Sequence, residues 1–190
     1  CFIHLFSRQD YDGYIGIPNS QSYPVFLKYG AEDKGDIYSY NTKKTLLPIY
    51  FERKHSQMSG WQVELEDKMP DDLFFSENSE AFQMKKSKEF MKWKFVDNPD
   101  GPFRWLTIRE NAILKGYMVV KITRGRVRRA VNIYDWDLKD DVTEPVLQMA
   151  VNLLRTHGNW VSLWGRYSKN VLSRWVAVGL AEKSEKGTHF

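Results

Sequence analysis

The sequence predicts an α+β fold, a mixed and mainly antiparallel sheet with helices on its faces. Three observations predict it. Residues 103–137 hold three consecutive strand-like runs separated by short turns. Residues 144–180 hold a helix, a strand and a second helix in succession. A loop-and-helix segment also occurs twice at one spacing: Gly16-Ile17-Pro18-Asn19-Ser20-Gln21-Ser22 leads to Gly30, and Gly165-Arg166-Tyr167-Ser168-Lys169-Asn170-Val171 leads to Gly179. Strands joined by tight turns pair antiparallel, whereas a strand–helix–strand crossover sets two strands parallel, so one sheet must contain both kinds of pair. A repeat of so long a period indicates a duplicated unit rather than a solenoid.

The elements follow in order. Phe2–Phe6 reads as the last turns of a helix and Tyr14–Ile17 as a buried strand. Ser22 is a good N-cap, Pro24 then falls in the first helical turn where its missing N–H costs nothing, and Gly30 suits the left-handed position after the helix. Ile37–Tyr40 and Leu46–Phe51 read as a hairpin about Asn41-Thr42-Lys43. From Glu52 to Ser79 the chain is polar and irregular, with Met69-Pro70-Asp71-Asp72 as its clearest breaker. The expected organisation is therefore the C-terminal part of a first unit over residues 1–52, a linker over 53–78, and a complete second unit over 79–190. Since the chain starts at Cys1, close before Gly16, the first unit is expected to be truncated.

In the second unit Phe82, Phe90, Met91 and Trp93 recur at helical spacing, and Asn98-Pro99 with Asp100-Gly101-Pro102 stops the helix. A meander follows: Phe103–Arg109, Leu114–Thr123 and Val127–Asp137, with turns at Glu110-Asn111-Ala112 and Arg124-Gly125-Arg126. Glu144–His157 is the strongest helix, with Thr143 as cap, Pro145 in its first turn, an apolar face of Val146, Met149, Ala150, Leu153 and Leu154, and Gly158 at its end. Strand Trp160–Trp164, helix Lys169–Val178 opened by Ser168, and a strand or hairpin within Leu180–Phe190 complete the unit.

Composition narrows the classes of function. The chain has 190 residues, a net charge of +4 and the apolar content of an ordinary globular protein. No apolar run approaches the roughly 20 residues that span a bilayer, and the N-terminal segment lacks a signal peptide's pattern, so a cytoplasmic domain without a membrane partner is expected. One cysteine excludes an internal disulfide framework and a zinc site built on paired cysteines. The small charge argues against nucleic acid as the partner.

Two segments carry a family likeness. The first is Ile15-Gly16-Ile17-Pro18-Asn19-Ser20-Gln21-Ser22 with its helix to Gly30, and the second is Trp93-Lys94-Phe95-Val96-Asp97-Asn98-Pro99-Asp100-Gly101. With the element order, they resemble the GNAT superfamily of acyl-CoA-dependent N-acyltransferases, most of all its tandem members associated with bacterial polysaccharide biosynthesis. The resemblance implies a GNAT-like duplicated fold, acetyl-CoA or another acyl-CoA as cofactor, and an amine acceptor such as an amino sugar. It also implies that Asn19, with Ser22, contacts the cofactor. The family holds the cofactor pyrophosphate on backbone N–H groups of a glycine-rich loop at a helix N-terminus. The matching stretch here, Asp135–Pro145, has no glycine and is rich in carboxylates, so it repels an anion; the pyrophosphate loop is not found in this chain. A tyrosine that protonates the leaving thiolate in many members is matched by Phe26 and Trp175, neither of which can donate that proton.

Each candidate has a structural alternative. Asn19 is either a cofactor contact or a loop amide capping the next helix. Within the acidic run, Asp135 is the candidate catalytic acid or base, against a solvated loop. Arg124, Arg126 and Arg128 alternate on one strand face, with Arg129 on the other, and are candidates for binding a phosphate or acidic glycan, against a solvated hairpin. The indoles of Trp93, Trp105, Trp136, Trp160, Trp164 and Trp175 read as core. His4, His55, His157 and His189 have no spacing that makes a metal site or a triad. Two functions remain: an N-acyltransferase whose chemistry sits in the first unit, or a non-catalytic GNAT-like module that binds an acidic ligand or packs in a homo-oligomer.

Overall fold

The computed structural model describes residues 23–28, 38–43, 58–76, 86–126, 128–165 and 169–183. By contact the chain divides into two units, residues 1–37 with 185–190, and residues 38–184. In the first, the described element is a short helix α1 (Tyr23–Lys28), with Pro24 in its first turn. The expected strand Tyr14–Ile17, the caps Ser22 and Gly30, and the second hairpin arm Leu46–Phe51 lie outside the described residues.

The second unit carries a seven-stranded sheet. Its strands are β1 (Tyr38–Asn41), β2 (Trp61–Glu66), β3 (Arg104–Glu110), β4 (Ile113–Arg124), β5 (Arg129–Leu138), β6 (Trp160–Gly165) and β7 (Ala181–Lys183). They are arranged β2-β3-β4-β5-β6-β1-β7. The fold is α+β with a mixed sheet: β5 and β6 run parallel, and the other neighbouring pairs run antiparallel. Among the described residues three helical elements accompany it: α2 (Lys88–Met91), which runs on as a π-helical stretch through Lys92–Val96, α3 (Glu144–His157) and α4 (Lys169–Ala177).

The organisation differs from expectation in two places. Residues 61–66, expected inside an irregular linker, form the strand β2 on the sheet edge, because Trp61, Val63 and Leu65 alternate with polar residues and one face is enough to bury at an edge. Tyr38–Asn41, expected to pair in a hairpin with 46–51, instead lies between β6 and β7. Thr42 fastens it there: its backbone N–H donates to the Val161 carbonyl at 3.0 Å and its hydroxyl accepts from the Val161 N–H at 3.0 Å.

Two apolar layers flank the sheet. On one face, Val146, Leu147, Ala150, Val151 and Leu154 of α3 pack on Leu106, Ile108, Met118, Val120, Val131 and Ile133, each valine, leucine, isoleucine or methionine side chain contributing about 1.5–3 kcal/mol of burial. The 3.6-residue spacing of that helix places those side chains on one stripe. Thr143 has extended cap geometry but no side-chain cap bond, contrary to its expected role. On the other face, Leu73, Met91, Phe95, Phe103, Trp105, Leu114, Tyr117 and Val119 form a largely aromatic cluster beneath the α2 and π-helical segment. Ser87 caps α2 by accepting from the Phe90 N–H at 3.1 Å. Trp93 is 68% exposed rather than core, and leans on Phe90.

Candidate functional site

A bulge in β5 sets the chemistry of the sheet's aromatic face. Val119 faces Asp135 and Val120 faces Ile133, leaving Tyr134 as the extra residue. Alternation resumes on the opposite face after it, so Asp135 and Asp137 turn toward Tyr117 and Val119 instead of following Val131 and Ile133 toward α3. The Asp135 carboxylate accepts from Lys86 Nζ at 2.6 Å and lies 3.7 Å from Lys94 Nζ. Lys86 also donates to the Trp136 carbonyl at 3.1 Å. Asp137 accepts from the Ser76 N–H at 2.8 Å. Tyr117 is fully buried between these carboxylates and Trp105, and among the described residues its hydroxyl has no hydrogen-bond partner. Burial, then Asp135 and Asp137, pushes the phenol pKa far above its ordinary value. Tyr117 therefore stays protonated at neutral pH.

This arrangement is an ion-pair cluster under a helical cover. A general base needs an accessible lone pair within hydrogen-bond reach of the substrate. Asp135 offers little: its side chain is 9% exposed and paired with two lysines. It also stands mid-strand rather than at a strand end.

The parallel pair forms a second feature. β5 and β6 are in register from Ala130–Trp160 to Ile133–Leu163 only; β5 runs on through Leu138, while β6 continues beside β1. The strands thus part after four pairs, and α3 begins beyond the end of β5. On the stretch past the last pair, Trp136 packs edge-on against Trp175 of α4, ring centroids 5.2 Å apart. Trp175 is 1% exposed, and Arg174 Nη2 donates to the Val142 carbonyl at 2.6 Å. The loop before α3 is bound into the fold: the Lys139 N–H donates to the Lys115 carbonyl at 2.9 Å, Asp141 pairs with Lys115, and Lys139 lies over the Phe74 ring. Among the described residues no group of His, Cys, Asp and Glu is placed to hold a metal ion.

The third feature is the β4–β5 turn. Arg124 ends one strand and Arg129 begins the next, so Arg126 and Arg128 stand in the turn and do not alternate along a strand as expected. The turn nevertheless brings Arg124, Arg126 and Arg128 around one open concavity of about 540 Å³, with Thr123, Gly125, Ala130 and Trp160. All three arginines are exposed, and among the described residues none has an ion-pair partner.

Of the other predicted site residues, Asn19 and Ser22 lie outside the described residues; Trp175, expected in the core, is buried there. Lys86, Lys94, Tyr117 and Asp137 were missed. The only sequence signal for them is the charge of Asp135 and Asp137 inside an otherwise apolar strand, which implies buried partners without naming them.

No family model matches the chain, and no curated protein matches it. Among solved structures, one from Staphylococcus epidermidis ATCC 12228, described as a functionally unknown conserved protein, aligns at a TM-score of 0.49 and 12% identity, covering 90% of this chain and 66% of that one. Among the described residues no helix is long and apolar enough to cross a membrane.

Proposed function

We infer that the unit over residues 38–184 is a non-catalytic, GNAT-like ligand-binding module. The observation that carries this reading is the edge-on contact of Trp136 with Trp175 beside the point where β5 and β6 part. In the resembled family the cofactor arm is contacted near the sheet opening and its pyrophosphate rests on the loop at a helix N-terminus. Here indole packs beside that opening, Arg174 engages the loop carbonyl, and the exposed Asp140 and Glu144 set negative charge where an anion would have to sit. Asp135, the candidate acid or base, is held by Lys86 and Lys94.

The parting of β5 and β6 itself favours the second reading, an N-acyltransferase working in the cytoplasm with an amino sugar or another amine as acceptor. Its chemistry then falls to the copy that contains Asn19 and Ser22. Hydrogen exchange with acetyl-CoA separates the readings. The module reading expects unchanged exchange at the amides of residues 139–147 and 161–165 and no acetyl-CoA-dependent thiol release with amine acceptors. Protection of those amides would overturn it; thiol release without such protection supports catalysis by the first copy.

A further inference from the structure

We propose that the β4–β5 turn is a binding site for the diphosphate group of a small ligand. Three guanidinium groups, on Arg124, Arg126 and Arg128, border one concavity, and no carboxylate is among its lining residues. Like charges so close repel one another, and among the described residues nothing neutralises them. Each guanidinium offers a planar fork of donors that matches phosphate oxygens bidentately, which a lysine cluster does not. Three such cations suit a ligand with at least two negative charges.

The two flanks of the turn are pinned. The Gly125 N–H donates to the Arg128 carbonyl at 2.8 Å, closing the loop. Behind it, the Arg129 N–H donates to Asn159 Oδ1 at 2.7 Å and the Asn159 N–H donates to the Arg129 carbonyl at 2.8 Å, tying the turn to the loop before β6. Asn132 Nδ2 donates to the Thr123 hydroxyl at 3.0 Å on the adjoining wall. Pinned flanks lower the cost of ordering the arginines around a ligand.

Size and charge distribution favour a small molecule over a nucleic-acid strand. The concavity falls within the range of about 300–1,000 Å³ typical of small-ligand sites. A polynucleotide tracks a basic stripe, whereas these arginines are confined to one turn of a chain with net charge +4. Ala130 and Trp160 supply an apolar wall for the organic part of the ligand.

The test is calorimetric titration of the full chain with inorganic pyrophosphate, with adenosine diphosphate, and with a single-stranded oligonucleotide. Pyrophosphate should bind, and each of Arg124→Ala, Arg126→Ala and Arg128→Ala should weaken it about tenfold or more. Arg→Lys at the same positions should give intermediate losses, and as it keeps the charge it guards against a folding artefact. Tighter binding of adenosine diphosphate than of pyrophosphate would identify a nucleotide; equal binding would identify the diphosphate alone. A control removing three exposed cations elsewhere, Lys28→Ala, Lys43→Ala and Lys68→Ala together, should leave affinity within twofold. Absence of pyrophosphate binding at millimolar concentration, an equal loss in the lysine control, or tighter and steeply salt-dependent binding of the oligonucleotide would overturn the proposal. Acetyl-CoA also carries a diphosphate, so heat from acetyl-CoA that vanishes in the arginine variants, with residues 139–147 unprotected, reports this turn and leaves the reading of the β5–β6 opening intact.

Discussion

Single residues show where the backbone and the packing make demands. Asn111 and Ala112 join β3 to β4 with φ of 48° and 67°, the left-handed pair a two-residue hairpin turn requires. Asparagine tolerates that region; a β-carbon at Ala112 does not sit well there. Ala112→Gly should stabilise the chain by about 1 kcal/mol in urea unfolding. Gly116 is constrained by space instead: a Cβ there would meet Leu138 Cδ2 at 2.6 Å and the Asp137 carbonyl at 3.3 Å. Gly116→Ala should cost about 1–3 kcal/mol by the same measurement.

His157, at the end of α3, tests the electrostatics. Burial, then the Arg104 charge, holds its imidazole below the ordinary value. A base with a depressed folded pKa is neutral in the fold while the unfolded chain, near 6.5, already takes up a proton. Its contribution is therefore complete above the unfolded value and is lost as pH falls toward the folded one. Wild-type stability should decline as pH falls through the unfolded value of about 6.5, and His157→Gln should flatten part of that decline; an unchanged slope in the variant would remove His157 from the explanation.

At the scale of elements, the repeat that predicted α4 is matched by its cap. Gly179 has φ +87°, its N–H donates to the Val176 carbonyl at 2.9 Å, and the Leu180 N–H donates to the Trp175 carbonyl at 3.0 Å. This is the paired closure that glycine permits after a helix. The meander, α3 and the parallel crossover were legible because each buries a regular stripe. β2 was legible only in hindsight, from the alternation of Trp61, Val63 and Leu65, as the polar residues between them mask a strand that buries one face. The place of β1 beside β6 was not legible, since a four-residue strand carries no record of its partner. Trp175 joins α4 to β5, and Trp175→Ala should cost about 3–5 kcal/mol, with Trp175→Phe recovering most of it.

Across the whole molecule, the sheet separates two sets of charge. On its aromatic face Asp135 pairs with Lys86 and Lys94, and Asp137 accepts from the Ser76 N–H. Its turn between β4 and β5 leaves three arginines facing solvent around one concavity. The sequence located Asp135 and the arginines, but could not foresee the bulge at Tyr134 that turns Asp135 toward Lys86 and Lys94, because a bulge depends on the register of two strands. The same limit concealed the Trp136–Trp175 contact, which joins residues far apart in the chain.

On the reading proposed above, the opening between β5 and β6 receives no acyl-CoA. Hydrogen exchange of the full chain with and without saturating acetyl-CoA decides it. Exchange at residues 139–147 and 161–165 should be identical in both conditions. Slower exchange there in the presence of acetyl-CoA would contradict it.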